Sequence, residues 1–207
     1  MTVVEQQVSE EKNLEQRARP LQKRAKRTRD AVVAGAARII ACEGSGVTVN
    51  DFVEASGVTK GGMYFHFSSK DAVVNAVIEE AVQRCDFLHS PRRRRGDSGA
   101  AVRDLLREYF AHVSRDWPVR ATAVLWTDPH YAEAARAATY DPLGAAVTAI
   151  LNGTGSPASI DTADAVMAIV CGVTTTAGPA GLGDGGDLDT ILRLTRPVLA
   201  AVGADTE

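Results

Sequence analysis

Apolar residues recur at helical spacing along most of the chain, and the first sustained period begins near Thr28. Its buried face comprises Ala31, Val32, Ala36, Ile39 and Ile40. The period stops at the segment Gly44-Ser45-Gly46, where two glycines disfavour helix. This pattern predicts a first helix of about four turns.

Two short helices are predicted to follow. Thr48 and Asp51 have the spacing of a helix N-cap and a carboxylate that reaches back to it. The helix they open must end near Ser56, because Gly57 is the residue best suited to a left-handed backbone conformation. Thr59 is then in position to cap a third helix.

Ser68 and Asp71 repeat the capping spacing and predict the start of a long fourth helix. Further helical periods follow at 102–113, 119–126, 143–151, 163–173 and 188–202. Prolines lie between or at the starts of these segments except Pro197, which is expected to kink or shorten the last helix. No alternating strand pattern persists, so the chain is predicted to be all-α.

The predicted organisation has three parts. Residues 1–22 lack a sustained apolar period and are expected to form a disordered basic arm. Residues 23–70 are expected to form a three-helix domain containing a helix-turn-helix. Residues 71–207 are expected to form a larger C-terminal helical bundle.

The distribution of charge suggests a polyanionic partner at one end of the molecule. The formal net charge is -3, yet basic residues crowd one short N-terminal stretch. They are Arg17, Arg19, Lys23, Arg24, Lys26, Arg27 and Arg29, whereas aspartates accumulate in the C-terminal half. A basic end on an acidic body is typical of a protein that contacts phosphate with that end only.

Other features exclude several classes of protein. Cys42, Cys85 and Cys171 are widely separated and form no CxxC pair, so neither a disulfide framework nor a metal site is expected. The polar start has no apolar core of a signal peptide, and the longest apolar run, 166–173, is expected to be too short to span a bilayer. The four histidines form no HExxH pair and no GxSxG elbow exists, which argues against an enzyme. A cytoplasmic protein without cofactor or metal is therefore predicted.

The helix opened by Thr59 has the chemistry of a DNA-recognition helix. Lys60 lies in its first turn, where a side chain can donate to guanine O6 and N7 in the major groove. Gly61 and Gly62 are poor helix formers, and close approach of the backbone to DNA would explain both. The same spacing also occurs in helical hairpins that bind no DNA, so the pattern alone leaves both interpretations open.

The run from Gly57 to Lys70, GVTKGGMYFHFSSK, resembles the DNA-binding domain of the TetR family of repressors. The resemblance implies that Thr28, Thr48, Tyr64, His66 and Lys70 contact phosphates and that Thr59, Lys60 and Gly61 face bases. Arg27, at the start of the similar region, and Gly62, at a variable recognition position, complete the expected DNA-binding set. Gly62 departs from the family pattern in adding flexibility, which puts the operator sequence in doubt.

A narrower resemblance points to a subgroup. The stretch from Thr59 to Phe67 and the segment Pro118-Val119-Arg120-Ala121 after Trp117 are similar to the γ-butyrolactone receptors that control antibiotic production in actinomycetes. The C-terminal half otherwise matches weakly.

The resemblance implies an effector cavity and a dimer interface in the C-terminal half. Aromatic residues cluster where the family builds its cavity, and the expected ligand-binding set is Phe110, Trp117, Trp126, Tyr131 and Tyr140. Plain core packing remains the alternative for each of them. Dimerisation is expected through the last two helices, with Gly172, Val173, Ile191, Thr195 and Leu199 among the contacts. An intramolecular core is the alternative there.

Together these observations predict a ligand-responsive repressor that binds palindromic operator DNA as a homodimer and is released by a small-molecule effector. The effector would be a γ-butyrolactone-like signal, an antibiotic or another metabolite. The alternative is a dimeric DNA-binding regulator with no small-molecule ligand. The sequence leaves open the effector, the operator and the regulated genes.

Overall fold

A computed structural model of the chain describes residues 3–89, 98–153, 159–181 and 186–204, and the regular elements in these ranges are helices. The first four are α1 (Val3–Glu43), α2 (Val49–Ser56), α3 (Lys60–His66) and α4 (Lys70–Arg84). A 3₁₀ turn, Asp86–His89, follows α4. The others are α5 (Ser98–Arg115), α6 (Trp117–Leu125), α7 (Ala132–Ala135), α8 (Asp141–Asn152), α9 (Ser159–Gly181) and α10 (Gly186–Ala204). This architecture confirms the all-α prediction.

The predicted caps position the two short helices. Thr48 and Asp51 form a reciprocal capping box at the start of α2. Gly57 ends α2 with φ 67°, in the left-handed region that glycine adopts without strain. The Thr59 side chain accepts a hydrogen bond from the Gly62 backbone N–H and opens α3. Local sequence thus determines where α2 ends and where α3 begins.

Two details of the N-terminal half differ from the sequence prediction. Helix α1 extends from Val3, through Pro20, whereas residues 1–22 were expected to be irregular. Glu, Gln, Lys and Arg have good intrinsic helix propensity, so a segment can be helical without an apolar stripe. The cap of α4 is Ser69, whose side chain accepts from Ala72 N, and not Ser68.

Close packing of α2 on α1 depends on Gly35. A Cβ atom built at Gly35 would lie 2.7 Å from the Cα and N atoms of Ser56 and 2.9 Å from the carbonyl carbon of Ala55. These are backbone atoms, which cannot turn aside as a flexible side chain can. Gly35 therefore lets the end of α2 approach α1, and this approach positions the turn at Gly57.

The C-terminal half packs around one apolar core that is continuous with the N-terminal helices. Helix α6 contacts both α1 and α4, and α10 packs on α5 and α9. Sequence reasoning missed α7 and the π-helical turn Arg136–Tyr140 that links it to α8. Helix α10 continues through Pro197, which is solvent-exposed, so the expected shortening does not occur. The arginine run 92–95 lies outside the described residues.

Segment Ile160–Gly178 of α9 is long and apolar enough to cross a membrane, judged only by length and composition. The sequence prediction of a segment limited to residues 166–173, too short to span a bilayer, is therefore wrong about its length. About a third of the segment is buried within the chain, and α9 contacts α8, α10, α1 and α6. A core helix of a soluble protein has the same properties.

Candidate nucleic-acid interface and inner aromatic cluster

Helix α3 has one buried and one outward face. Met63 is fully buried and anchors the helix on the N-terminal core. Lys60, Gly61, Tyr64 and Phe65 are exposed, and Phe65 reaches 79% exposure. The outward face thus carries one cation, one phenol, one aromatic ring and a glycine.

The expected phosphate-binding residues surround this face. Arg27 is exposed, and the Thr28 hydroxyl donates to the Arg24 carbonyl at 3.1 Å. Thr28, Gly62 and His66 line one shallow groove between α1 and α3. The structure therefore places Thr28, Gly62 and His66 together beside the outward face of α3, which itself carries Lys60, Gly61 and Tyr64.

Lys70 has an intramolecular partner that sequence reasoning missed. Its Nζ donates to the Ser45 carbonyl at 2.7 Å, which ties the start of α4 to the loop after α1. An ammonium group has three N–H donors, so donors remain for a phosphate. Thr48 at the start of α2 is exposed. The pKa of its capping partner Asp51 is lowered mainly by hydrogen bonds with Thr48 and also by the positive charge of Lys70.

A polar network joins this domain to the loop after α6. The Ser45 hydroxyl donates to the Asp128 carboxylate, and the Tyr131 hydroxyl donates to Asp71 Oδ1 at 2.6 Å. His130 Nε2 lies 3.4 Å from the same Asp71 oxygen. Asp128 and Asp71 therefore connect the two halves of the molecule by hydrogen bonds to ionised carboxylates.

Both carboxylates have lowered pKa values. The Tyr131 hydroxyl is the main cause at Asp71. At Asp128, burial acts to raise the pKa, but hydrogen bonds from Ser45 and from the backbone N–H groups of His130 and Tyr131 together outweigh it. Each group therefore stabilises the folded chain while it is ionised, and that stabilisation disappears as the pH falls through its lowered pKa.

We expect Asp128→Asn to lower the melting temperature at neutral pH, because asparagine cannot accept the same hydrogen bonds as a carboxylate. The difference from the parent should begin to narrow as the pH falls below about 3.9, the ordinary pKa of aspartate, and should disappear as the pH falls through the lowered pKa of Asp128. Thermal unfolding between pH 3 and 7 measures this, with the exposed Glu133→Gln as a control. A difference that stays constant over this range would remove Asp128 from the acid-sensitive network.

The expected ligand-binding residues divide into two groups. Phe110, Trp126 and Tyr140 belong to one cluster that is completed by Tyr109. Trp126 lies 6.0 Å from Tyr109 in a stacked arrangement and 5.1 Å from Tyr140 in a T-shaped one. We call these four side chains the aromatic cluster. Trp117 and Tyr131 lie apart from it.

Trp117 and Tyr131 have other partners. Trp117 is 41% exposed at the start of α6, with the Arg120 guanidinium 5.5 Å from its ring. It lines a cleft between α1, α4 and the α5–α6 corner. Tyr131 is held by Asp71, as described above. The sequence grouped all five aromatic residues because it gives no information on the direction of each side chain.

Polar groups within the aromatic cluster were also missed. Trp126 Nε1 donates to Thr139 Oγ1 at 2.9 Å, and both residues are buried. The Tyr109 hydroxyl is buried and makes no hydrogen bond of acceptable geometry, although Thr139 is its neighbour. Burial raises the pKa of Tyr109, so its hydroxyl stays neutral. An unsatisfied buried donor costs about 1–3 kcal/mol, which a ligand acceptor would recover.

The described residues contain no group of three or more His, Cys, Asp or Glu side chains that could hold a metal ion.

Comparisons with known proteins give the same assignment for the N-terminal half. Residues 32–77 match the sequence profile of the bacterial regulatory proteins of the tetR family. This range extends from the middle of α1 to the middle of α4 and includes α2 and α3. No curated protein matches the sequence.

Solved structures share the fold of the whole chain. A TetR-family transcriptional regulator from Streptomyces coelicolor has a TM-score of 0.66 at 19% identity, covering 88% of this chain and 97% of its own. A TetR-family regulator from a Rhodococcus species has a TM-score of 0.57 at 25% identity, and the match covers 83% of this chain and 98% of the Rhodococcus chain. A structure described as the molecular basis for control of antibiotic production by bacterial hormones has a TM-score of 0.65 at 22% identity. The match covers 84% of this chain and 96% of the other.

The capped α2–turn–α3 unit, the profile match across it and the fold shared along the chain lead to one assignment. Residues 32–77 form a helix-turn-helix domain that matches the tetR-family profile, within a chain that has the fold of solved TetR-family transcriptional regulators.

Proposed function

We propose that this protein is a repressor that binds palindromic operator DNA as a homodimer in the cytoplasm and releases it when a small molecule binds the C-terminal half. The observation that carries the proposal is α3: a capped helix with a buried Met63 and an exposed outer face, within the matched tetR-family region. A helix presented in this way can enter the major groove.

Lys60 is proposed to contact bases and Lys70 to contact phosphate. We expect Lys60→Ala to weaken operator binding by about 1–3 kcal/mol and binding to random DNA much less. Lys70→Ala should weaken both and lower the salt slope by about 1. Fluorescence anisotropy on operator and random duplexes at several salt concentrations measures both effects. Equal losses on the two duplexes for Lys60→Ala would contradict its base contact.

The dimer is proposed to form through α9 and α10, with only some of the contacts expected from sequence. Ile191, Thr195 and Leu199 are buried within the chain, so they serve the intramolecular core. Gly172 and Thr176, which the sequence also predicts as contacts, are exposed on α9, and Leu194 on α10 is an additional candidate at 42% exposure. An apolar α9 that is only partly covered by its own chain is suited to packing on a second copy.

The effector is proposed to bind at the aromatic cluster. Apolar walls with two buried polar groups, the Tyr109 hydroxyl and the Trp126–Thr139 pair, suit a largely apolar ligand with one or two hydrogen-bond acceptors. A γ-butyrolactone has this chemistry. The sequence similarity to γ-butyrolactone receptors supports this class of ligand, as does the fold shared with the structure described as the molecular basis for control of antibiotic production by bacterial hormones.

The first test is an electrophoretic mobility shift of the purified protein on the DNA upstream of its own gene. Random competitor establishes selectivity, and candidate lactones and other metabolites are added in turn. Selective retention that one compound abolishes would support the proposal. Failure to retain any duplex selectively would contradict it.

Ligand binding can be measured without DNA, because the chain contains only two tryptophans. The exposed Trp117 can be replaced by phenylalanine, which leaves Trp126 as the only indole. A compound that binds the aromatic cluster should then change the Trp126 emission in a saturable manner. A compound that releases DNA without altering this emission would place its site elsewhere.

One observation favours the alternative of a DNA-binding dimer with no ligand. Trp126 is 1% exposed and Phe110 is 3% exposed, so the aromatic cluster is closely packed as it stands. A ligand would have to separate these rings. If no compound changes Trp126 emission while selective DNA binding is retained, the alternative is the better description.

A further inference from the structure

The outward face of α3 ends in an aromatic ring for which the expected DNA contacts give no role. Phe65 is 79% exposed, more than any other large apolar side chain noted among the described residues. At 100° per residue, Gly61 and Phe65 both lie about 160° from the buried Met63. These two positions therefore point most directly away from the domain and into any groove that α3 enters.

Gly61, one helical turn before Phe65, determines how exposed the phenyl ring is on this face. Helical side chains lean towards the N-terminus, so the Phe65 ring lies over the turn that contains Gly61. A Cβ at Gly61 would meet no atom within 4 Å, so space alone does not require glycine there. Because Gly61 has no side chain, the outermost group over this turn is the phenyl ring.

The residues next to the Phe65 ring contact it on one side and form an apolar groove on the other. The His66 ring meets it edge-on, with centroids 5.0 Å apart. On the side towards α1, Phe65 lines the groove of about 480 Å³ with Ala25, Thr28 and Gly62. Cations are close to this face: the exposed Arg24 lines the same groove, and the exposed Lys60 is on α3 itself. An apolar patch with a cationic border matches an apolar group carried on a polyanion.

The major groove of DNA offers one such group, the 5-methyl of thymine. We propose that Phe65 is a specificity-determining residue that packs on the 5-methyl group of a thymine in each operator half-site. This inference rests on the proposed function, because it concerns how the same α3 discriminates sequence. The preference for thymine at that position would come from apolar contact with Phe65, whereas Lys60 would recognise other bases by hydrogen bonds.

The test uses deoxyuridine, which differs from thymidine only in lacking the 5-methyl group. The duplex most enriched by the full-length protein from a random pool serves as the operator, and each thymine is replaced singly. At one thymine per half-site, deoxyuridine should weaken binding by about fourfold, the fold-change expected from burying one methyl group. Fluorescence anisotropy gives the Kd for each duplex.

Phe65→Ala should weaken binding to the thymine duplex and make that position insensitive to deoxyuridine. Because Phe65 is exposed, the variant should keep the parent melting temperature. Val82→Ala is the matched control, since Val82 is an exposed apolar residue on α4. It should retain the full thymine preference.

The outcomes separate the two proposals. A methyl-sensitive thymine that becomes insensitive in Phe65→Ala supports the inference. Selective DNA binding with no methyl-sensitive position, or with the same sensitivity in Phe65→Ala, overturns the inference and leaves the proposed function in place. If the pool yields no enriched duplex, the proposed function fails and the inference fails with it.

Discussion

Replacing Gly35 by alanine is expected to lower the free energy of unfolding of this protein by about 1–3 kcal/mol. Alanine is the better helix former by up to about 1 kcal/mol, so propensity alone predicts the opposite sign. Packing decides the result, because the new methyl group would lie 2.7 Å from backbone atoms of Ser56. Relief requires α2 to move off α1, and α3 must move with it.

Operator binding should therefore weaken together with stability in Gly35→Ala. Chemical denaturation gives the free energy, and anisotropy gives the affinity. Gly144→Ala is the control: it is also a helical glycine, but its Cβ would make an ordinary 3.5 Å contact with the flexible Met167 side chain. That control should be neutral or slightly stabilising. Equal stability of the two variants would show that α2 can retreat from α1 without cost.

The second large effect concerns Trp126. Truncation to alanine at this fully buried position should cost about 3–5 kcal/mol of stability, so Trp126→Ala would combine any loss of ligand contact with a loss of folding stability. Trp126→Phe is the informative variant. It keeps an aromatic ring against Tyr109 and Tyr140 and removes the Nε1–H that Thr139 accepts.

We expect Trp126→Phe to retain operator affinity within about threefold and to require a higher concentration of effector for release. Mobility shifts with increasing effector measure the second quantity, and melting temperatures establish that the variant is folded. Phe87→Leu, on the 3₁₀ turn and outside the aromatic cluster, is a control for loss of an aromatic group. An unchanged effector response in Trp126→Phe would exclude the indole N–H from the ligand site.

Sequence reasoning was most successful where structure depends on neighbouring residues. The Thr48–Asp51 box, the left-handed Gly57 and the Thr59 cap are all interactions within four residues, and each is present as predicted. It failed where two adjacent residues could serve as the same N-cap: Ser68 and Ser69 both precede α4, and the cap is Ser69 instead of the predicted Ser68.

The distant contacts had no counterpart in the sequence pattern. Tyr131 was grouped with the ligand-binding residues because it is aromatic, yet its hydroxyl is bonded to Asp71, which lies 60 positions earlier. Ile191 and Leu199 were expected at the dimer interface because they follow a helical period, which is the same for burial within a chain and between chains. Gly35 carried no signal at all, since nothing local shows that another backbone lies against it.

The sequence by itself determined the helical class, the capped α2–turn–α3 unit and the cluster of basic residues at the N-terminal end, because these depend on intrinsic propensity, capping and charge. Only the tertiary structure decided which aromatic side chains meet, which carboxylates join the two halves, and that Phe65 points outward while Met63 points inward. These properties depend on side-chain direction and on contacts between distant segments, which arise when the helices pack together.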